Sequence, residues 1–227
     1  MSLPPPRLRV GETLADAWLL YTRHSPRLIT TAAAGYGVLA LVEILVAAAV
    51  STRLAFTLVS FALTIVAVFW LQGALVLLVQ EVRAGREAPS MLELFVRVGP
   101  RLWTLVASGL IAAVGIAAGL LLLVIPGLVL LTYWSLLTPA IVLEGCGVRA
   151  ALRRSRQLVR RNALRAFGVI VITVVFTSIV SIVITGLLQP IGGAFGFYLA
   201  AVVANGVTIP FVALAWTEMY FTLRSDR

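Results

Sequence analysis

Six apolar stretches divide the 227-residue chain, and nothing constrains its fold more. Five are unambiguous, at 28–50, 54–80, 102–124, 163–188 and 196–222. Each exceeds the ~20 residues that a helix needs to cross the hydrocarbon layer of a membrane. The sixth, 128–144, is shorter and carries Pro139, yet at ~1.5 Å per residue it reaches about 26 Å, against a ~30 Å layer. Its junction with the preceding stretch, Ile125-Pro126-Gly127, reads as a tight turn. Hydrophobic residues make up 61% of the chain and charged ones 12%, with a mean hydropathy of +1.05. A soluble domain is about half apolar and about a quarter charged, so there is too little polar surface here to cover a water-soluble globule. The same numbers exclude disorder. The sequence predicts an all-α, polytopic membrane protein with six spans, forming one domain over 1–227.

The arginines set the orientation. All 18 basic residues are Arg, a bias that with the many Ala, Val and Leu suggests a GC-rich bacterial genome. Six spans put both termini on one side, together with the 81–101 and 145–162 connections. Every arginine except Arg53 falls on that side. Basic residues accumulate on the cytoplasmic side of membrane proteins, so both termini are predicted to be cytoplasmic in a bacterial inner membrane. The net charge of +9 is then topogenic, which argues against nucleic acid as a partner. The three external connections are predicted to be short, near 51–53, 125–127 and 189–195. Residues 1–10 are Pro-rich and polar, and the first apolar run starts too late and is too long for a signal-peptide core.

Three segments on the inner side read as amphipathic helices. Residues 12–23 place Leu14, Trp18 and Tyr21 on one face, with Glu12 and Asp16 early and Arg23 late, as the helix dipole favours. Residues 90–98 open with Ser90 and Glu93 at the capping-box spacing. In 147–162, Val148, Ala151, Leu152, Ser155, Leu158 and Val159 share one face. Arg149, Arg153, Arg154, Arg156, Arg160 and Arg161 share the opposite one. Helices of this kind lie in the interface plane, which predicts shallow lipid insertion along Val148, Leu152 and Val159. Each such segment precedes a membrane hairpin, giving a weak pattern of three parallel units at about 11–83, 90–145 and 147–224.

The stretch IPGLVLLTYWSLLTPAIVLEGCGVRAALRRSRQLVRRN, residues 125–162, resembles a bacterial membrane-domain family. That family includes the membrane domain of some glycerophosphoryl diester phosphodiesterases and many stand-alone proteins of unknown function. The opening Val10-Gly11-Glu12-Thr13-Leu14, with Leu20-Tyr21-x-Arg23-His24, is similar to the family's N-terminus. The resemblance implies six helices and a cytoplasmic amphipathic helix after the fourth. It does not imply phosphodiesterase activity, which belongs to a separate soluble barrel with paired histidines and metal-binding carboxylates.

Catalysis is not expected. One histidine, His24, and one cysteine, Cys146, cannot make a His-pair or Cys-cluster metal site, and no metal or cofactor is predicted. The only aspartates, Asp16 and Asp226, lie outside the spans, and no Gly-rich phosphate loop is present. The candidates for a membrane-depth polar site are Glu43, Asn205 and Pro210. Glu43 lies inside the first span, where a carboxylate costs about 2.5 kcal/mol or more. Asn205 sits at a similar inferred depth and could meet it. Pro210 removes a helix hydrogen bond and frees the carbonyl of Gly206. Salt bridges at the inner boundary, such as Glu144 or Glu218 with Arg165, are also expected. Ser108, Ala112, Gly115 and Gly119 make a small-residue stripe suited to close helix packing.

Three functions remain. The first is a non-enzymatic inner-membrane module whose Arg-rich face, with Arg149, Arg153, Arg154, Arg156, Arg160 and Arg161, engages anionic lipid or a protein partner in the cytoplasm or membrane. The second is a small, oligomeric transporter or permease using Glu43 and Asn205. The third, an intramembrane lipid-modifying enzyme, lacks a catalytic pair.

Overall fold

The computed structural model describes residues 8–86 and 89–225. Within them the chain is helical, with α1 at Val10–Ala49, α2 at Arg53–Arg83 and α3 at Met91–Val98. Then come α4 at Leu102–Leu122, α5 at Val124–Trp134, α6 at Leu137–Glu144 and α7 at Val148–Val159. The chain closes with α8 at Ala163–Leu188 and α9 at Gly193–Ser225. Six helical segments are long and apolar enough to cross a membrane. The fourth of these is α5 followed by α6, and the fifth runs from α7 through α8.

The helix expected at 12–23 is present, as the first of two helices that run together as the 40-residue α1 across a kink at His24 (φ −120°, ψ 15°). Pro26 causes the kink, because its ring lacks an amide hydrogen and clashes with the carbonyl four residues back, that of Thr22. The face this segment buries is Thr13, Ala17 and Tyr21, whereas Trp18 is half exposed and stacks on Tyr21. Two other expectations need correction. First, Ile125-Pro126-Gly127 is not the turn. The reversal is made by Leu123 alone, in extended conformation (φ −161°, ψ 132°), and Pro126 sits in the first turn of α5. Proline is tolerated there because no helical acceptor exists for its missing amide. Second, the span at 128–144 is two helices with a break at Ser135–Leu136.

Packing is uneven along the bundle. Every buried residue of α2 lies between Leu71 and Val82, while Leu54, Leu58, Val59 and Phe61 of the same helix are exposed. Around the buried part of α2 gather Ala17 of α1, Leu94 and Val98 of α3, Ile141 of α6 and Leu214 of α9. A second cluster joins Leu8, Leu136, Leu158, Val159 and Leu223, so the first and last described segments meet at the arginine-rich end. The exposed halves of α1, α2, α4 and α8 carry large apolar side chains, as a lipid-facing surface requires.

The small-residue stripe on α4 packs within the chain. Gly115 faces the Trp134 ring, and a Cβ on Gly119 would lie 2.9 Å from the backbone of Gly127. The two backbones touch, which is what the one-residue turn at Leu123 demands.

Candidate functional site

The site is best built from the break in the fourth span. Pro139 stands in the first turn of α6, and its ring clashes with the carbonyl four residues back, that of Ser135. The helix therefore opens at Ser135–Leu136, and the Ser135 hydroxyl turns back to donate to the Thr132 carbonyl at 2.9 Å. Two backbone groups are left for another partner, and Ser155 of α7 supplies it. Its Oγ accepts from the Leu136 amide at 3.1 Å and donates to the Tyr133 carbonyl at 2.7 Å. Ser155 is fully buried. A hydroxyl is the smallest side chain that can both donate and accept.

The rest of α7 follows from this anchor. Gly145, at φ +67°, ends α6 in the left-handed region, and the chain turns through Cys146 into α7. Ala151, Leu158 and Val159 are buried with Ser155 against the bundle. Shallow lipid insertion along Val148, Leu152 and Val159 is thus contradicted for Val159, which is fully covered by protein, while Val148 and Leu152 are half-buried. Arg154 grips Glu144 through both Nε and Nη2 at 2.8–3.0 Å, and the buried Tyr220 hydroxyl donates to the same carboxylate. Beside it the Cys146 thiol is pushed up from its ordinary pKa, by burial first and then by the Glu144 carboxylate.

The six arginines of this segment therefore divide. Arg154 is structural. Arg149, Arg153, Arg156, Arg160 and Arg161 are exposed, and none of them pairs with a carboxylate among the described residues. Arg156 lies over the Tyr133 ring at 5.7 Å from its centroid, and Arg160 and Arg161 stand in the 3-10 turn leading into α8. Arg165 hydrogen-bonds Asn162, while Glu218 pairs with Arg83 at 2.7 Å, so the expected bridges to Arg165 are replaced by others. Glu81 takes Arg86 and Arg97. The capping box of Ser90 and Glu93 on α3 forms as expected.

The membrane-depth polar residues do not converge. Glu43 is half-buried and accepts from Thr64 of α2 at 2.8 Å. Asn205 is next to Gly206, whose backbone packs on Ala33 of α1. Ten residues of α1 separate Ala33 from Glu43, about 15 Å along the axis, so the Glu43 and Asn205 side chains do not meet. The start of α9, three residues earlier than the span read from the sequence, accounts for about 4.5 Å of that separation. Pro210 is buried within an unbroken α9, and Tyr21 donates to the Val207 carbonyl at 3.0 Å, one residue from the carbonyl that Pro210 frees. Glu43→Gln, which can still accept from Thr64, is expected to leave folding intact and lower thermal stability by under about 1 kcal/mol. A collapse of the purified variant would show that the Glu43 carboxyl group itself holds α1 to α2.

Sequence reasoning missed Ser155 and Tyr220. The signal for Ser155 was present, as a single hydroxyl on the apolar face between Leu152 and Val159. Its partners lie on a helix break that periodicity cannot show. No group of residues that could hold a metal ion occurs among the described residues.

These features define an all-α protein whose helices are long and apolar enough for a multi-pass membrane protein. The sequence family described as a domain of unknown function (DUF7847) matches residues 102–221, more than half of the chain, and the protein belongs to that family. No curated protein and no solved structure matches it.

Proposed function

We propose that the chain is a non-enzymatic, six-span module of a bacterial inner membrane, with both termini cytoplasmic, and that its arginine-rich inner face is the working surface. That face engages anionic lipid or a protein partner. The observation that carries the reading is the division of labour on α7. One face is spent on the bundle, and five exposed arginines on the other have no carboxylate partner among the described residues. An anionic leaflet attracts each such side chain by about 1 kcal/mol. The likeness of 125–162 to a membrane domain that accompanies a soluble phosphodiesterase supports a module over an enzyme, as does the lack of a catalytic pair in the sequence.

The test has two parts. Reporters at both termini and in 84–101 are expected to be cytoplasmic, and insertions at Ser51, Leu123 and Gly192 external. Replacing Arg149, Arg153, Arg156, Arg160 and Arg161 with Gln is expected to lower both the anionic lipid that co-purifies with the full chain and any cross-linked partner. Unchanged lipid and partner profiles would reduce the arginines to orientation signals. A periplasm-active reporter at the C-terminus would overturn the topology.

A further inference from the structure

A cleft of about 240 Å³ opens between α5 and α8. Its walls are Leu128 and Val129 on one side and Ala163, Leu164 and Phe167 on the other, with Tyr133 at one end. It opens sideways, since Leu164 is 88% exposed and Val129 42%. The end that matters is the one at Tyr133. Arg156 lies over that ring, and Arg160 and Arg161 immediately precede the cleft wall at Ala163 and Leu164. An apolar cleft between α5 and α8 thus ends at Tyr133 beneath Arg156, and Arg160 and Arg161 lie two to three residues before its wall at Ala163; none of the three has a carboxylate partner among the described residues.

We propose that this cleft is a binding site for one anionic phospholipid, with an acyl chain between α5 and α8 and its phosphate at Arg156, Arg160 and Arg161. The inference rests on the arginine-rich face being a working surface and adds to it a place and a ligand class. Charge complementarity selects the occupant. Guanidinium groups take phosphate oxygens in bidentate pairs, and the stacked Arg156 is held in place by Tyr133. The adjoining walls accept hydrocarbon and offer little to a soluble phosphate ester. Ser155 fixes the geometry, because its bond to the Tyr133 carbonyl ties the helix bearing Arg156 to the helix forming the cleft.

The probe is the full chain in detergent, exchanged against phosphatidylglycerol or phosphatidylcholine of equal chain length, with bound lipid counted by native mass spectrometry. Retention of phosphatidylglycerol is expected to exceed that of phosphatidylcholine by about 30-fold or more, the ratio that two or three arginines near an anionic headgroup supply. Arg156→Gln with Arg160→Gln and Arg161→Gln should erase the preference, and Arg53→Gln at the opposite end should not. Val129→Phe, or Ala163→Leu as a milder filling, should reduce phosphatidylglycerol retention with every arginine intact. Glycerol 1-phosphate, which has the headgroup chemistry without chains, should fail to displace the lipid. Displacement by it would overturn the acyl-chain contact and leave an anion site. If retention responds to the arginines but to neither filling variant, the cleft is not the site and the basic-face reading survives. If the wild-type chain retains both lipids equally, this proposal fails. The five-arginine variant above then decides whether the face serves a protein partner instead.

Discussion

Ser155→Ala is expected to destabilise the protein by about 2–4 kcal/mol, since each buried backbone group left without a partner costs about 1–3 kcal/mol. The groups are the Leu136 amide and the Tyr133 carbonyl. In a chain of this size each kcal/mol lowers the melting temperature by about 2–4 °C. The removed atom is a single oxygen, so a cavity explains little of such a loss. Pro139→Ala separates the causes. Without the proline ring α5 and α6 can rejoin, the freed groups regain helical partners, and Ser155→Ala should then cost much less. A double-mutant cycle measures that coupling directly. Equal costs in both backgrounds would mean that Ser155 is ordinary packing.

Glu144→Ala should also cost about 2–4 kcal/mol, at or just under the range for a broken buried ion pair, because the Arg154 side chain keeps 26% exposure. The loss leaves the Arg154 guanidinium and the buried Tyr220 hydroxyl without their acceptor. Glu144→Gln retains one acceptor oxygen and should lose about half as much. Joining Glu144→Gln with Arg154→Gln should recover part of the difference, since no unpaired charge remains. The chain break to watch is at Arg160–Arg161, where limited trypsin should cut faster once α7 is loosened. If Glu144→Ala melts with the wild type, α7 is held by its apolar face and Ser155 alone.

Much of this architecture was legible in the sequence, for physical reasons that also set the limits. Apolar length marks a spanning helix, so α8 at Ala163–Leu188 coincides with the run read from the sequence. The capping box at Ser90 and Glu93 was legible because it is local, with both partners within three residues. The same method failed where a proline had more than one outcome. Pro26 kinks α1 at His24, Pro126 starts α5 and Pro139 breaks the fourth span. One residue type gives three results, and neighbouring helices decide which. Depth was the other weak point. Glu43 and Asn205 were placed at similar depth by counting from helix ends read off hydropathy; those ends miss by one residue at α1 and three at α9, about 6 Å together, which is less than half of the 15 Å separation along α1. The arginine face was visible as a pattern, but the separation of Arg154 from its neighbours depends on Glu144 and Tyr220, which lie 10 and 66 residues from it.

The connections at the arginine-poor end are three residues, 50–52, the single Leu123, and a short turn at 189–192. A surface so trimmed offers almost no handle. Trypsin working from that side has one bond to cut, after Arg53 at the very start of α2. An antibody would find no loop long enough to fill its paratope. Among the described residues, the charged groups that a water-borne partner could grip therefore lie mainly at the end where the arginines are.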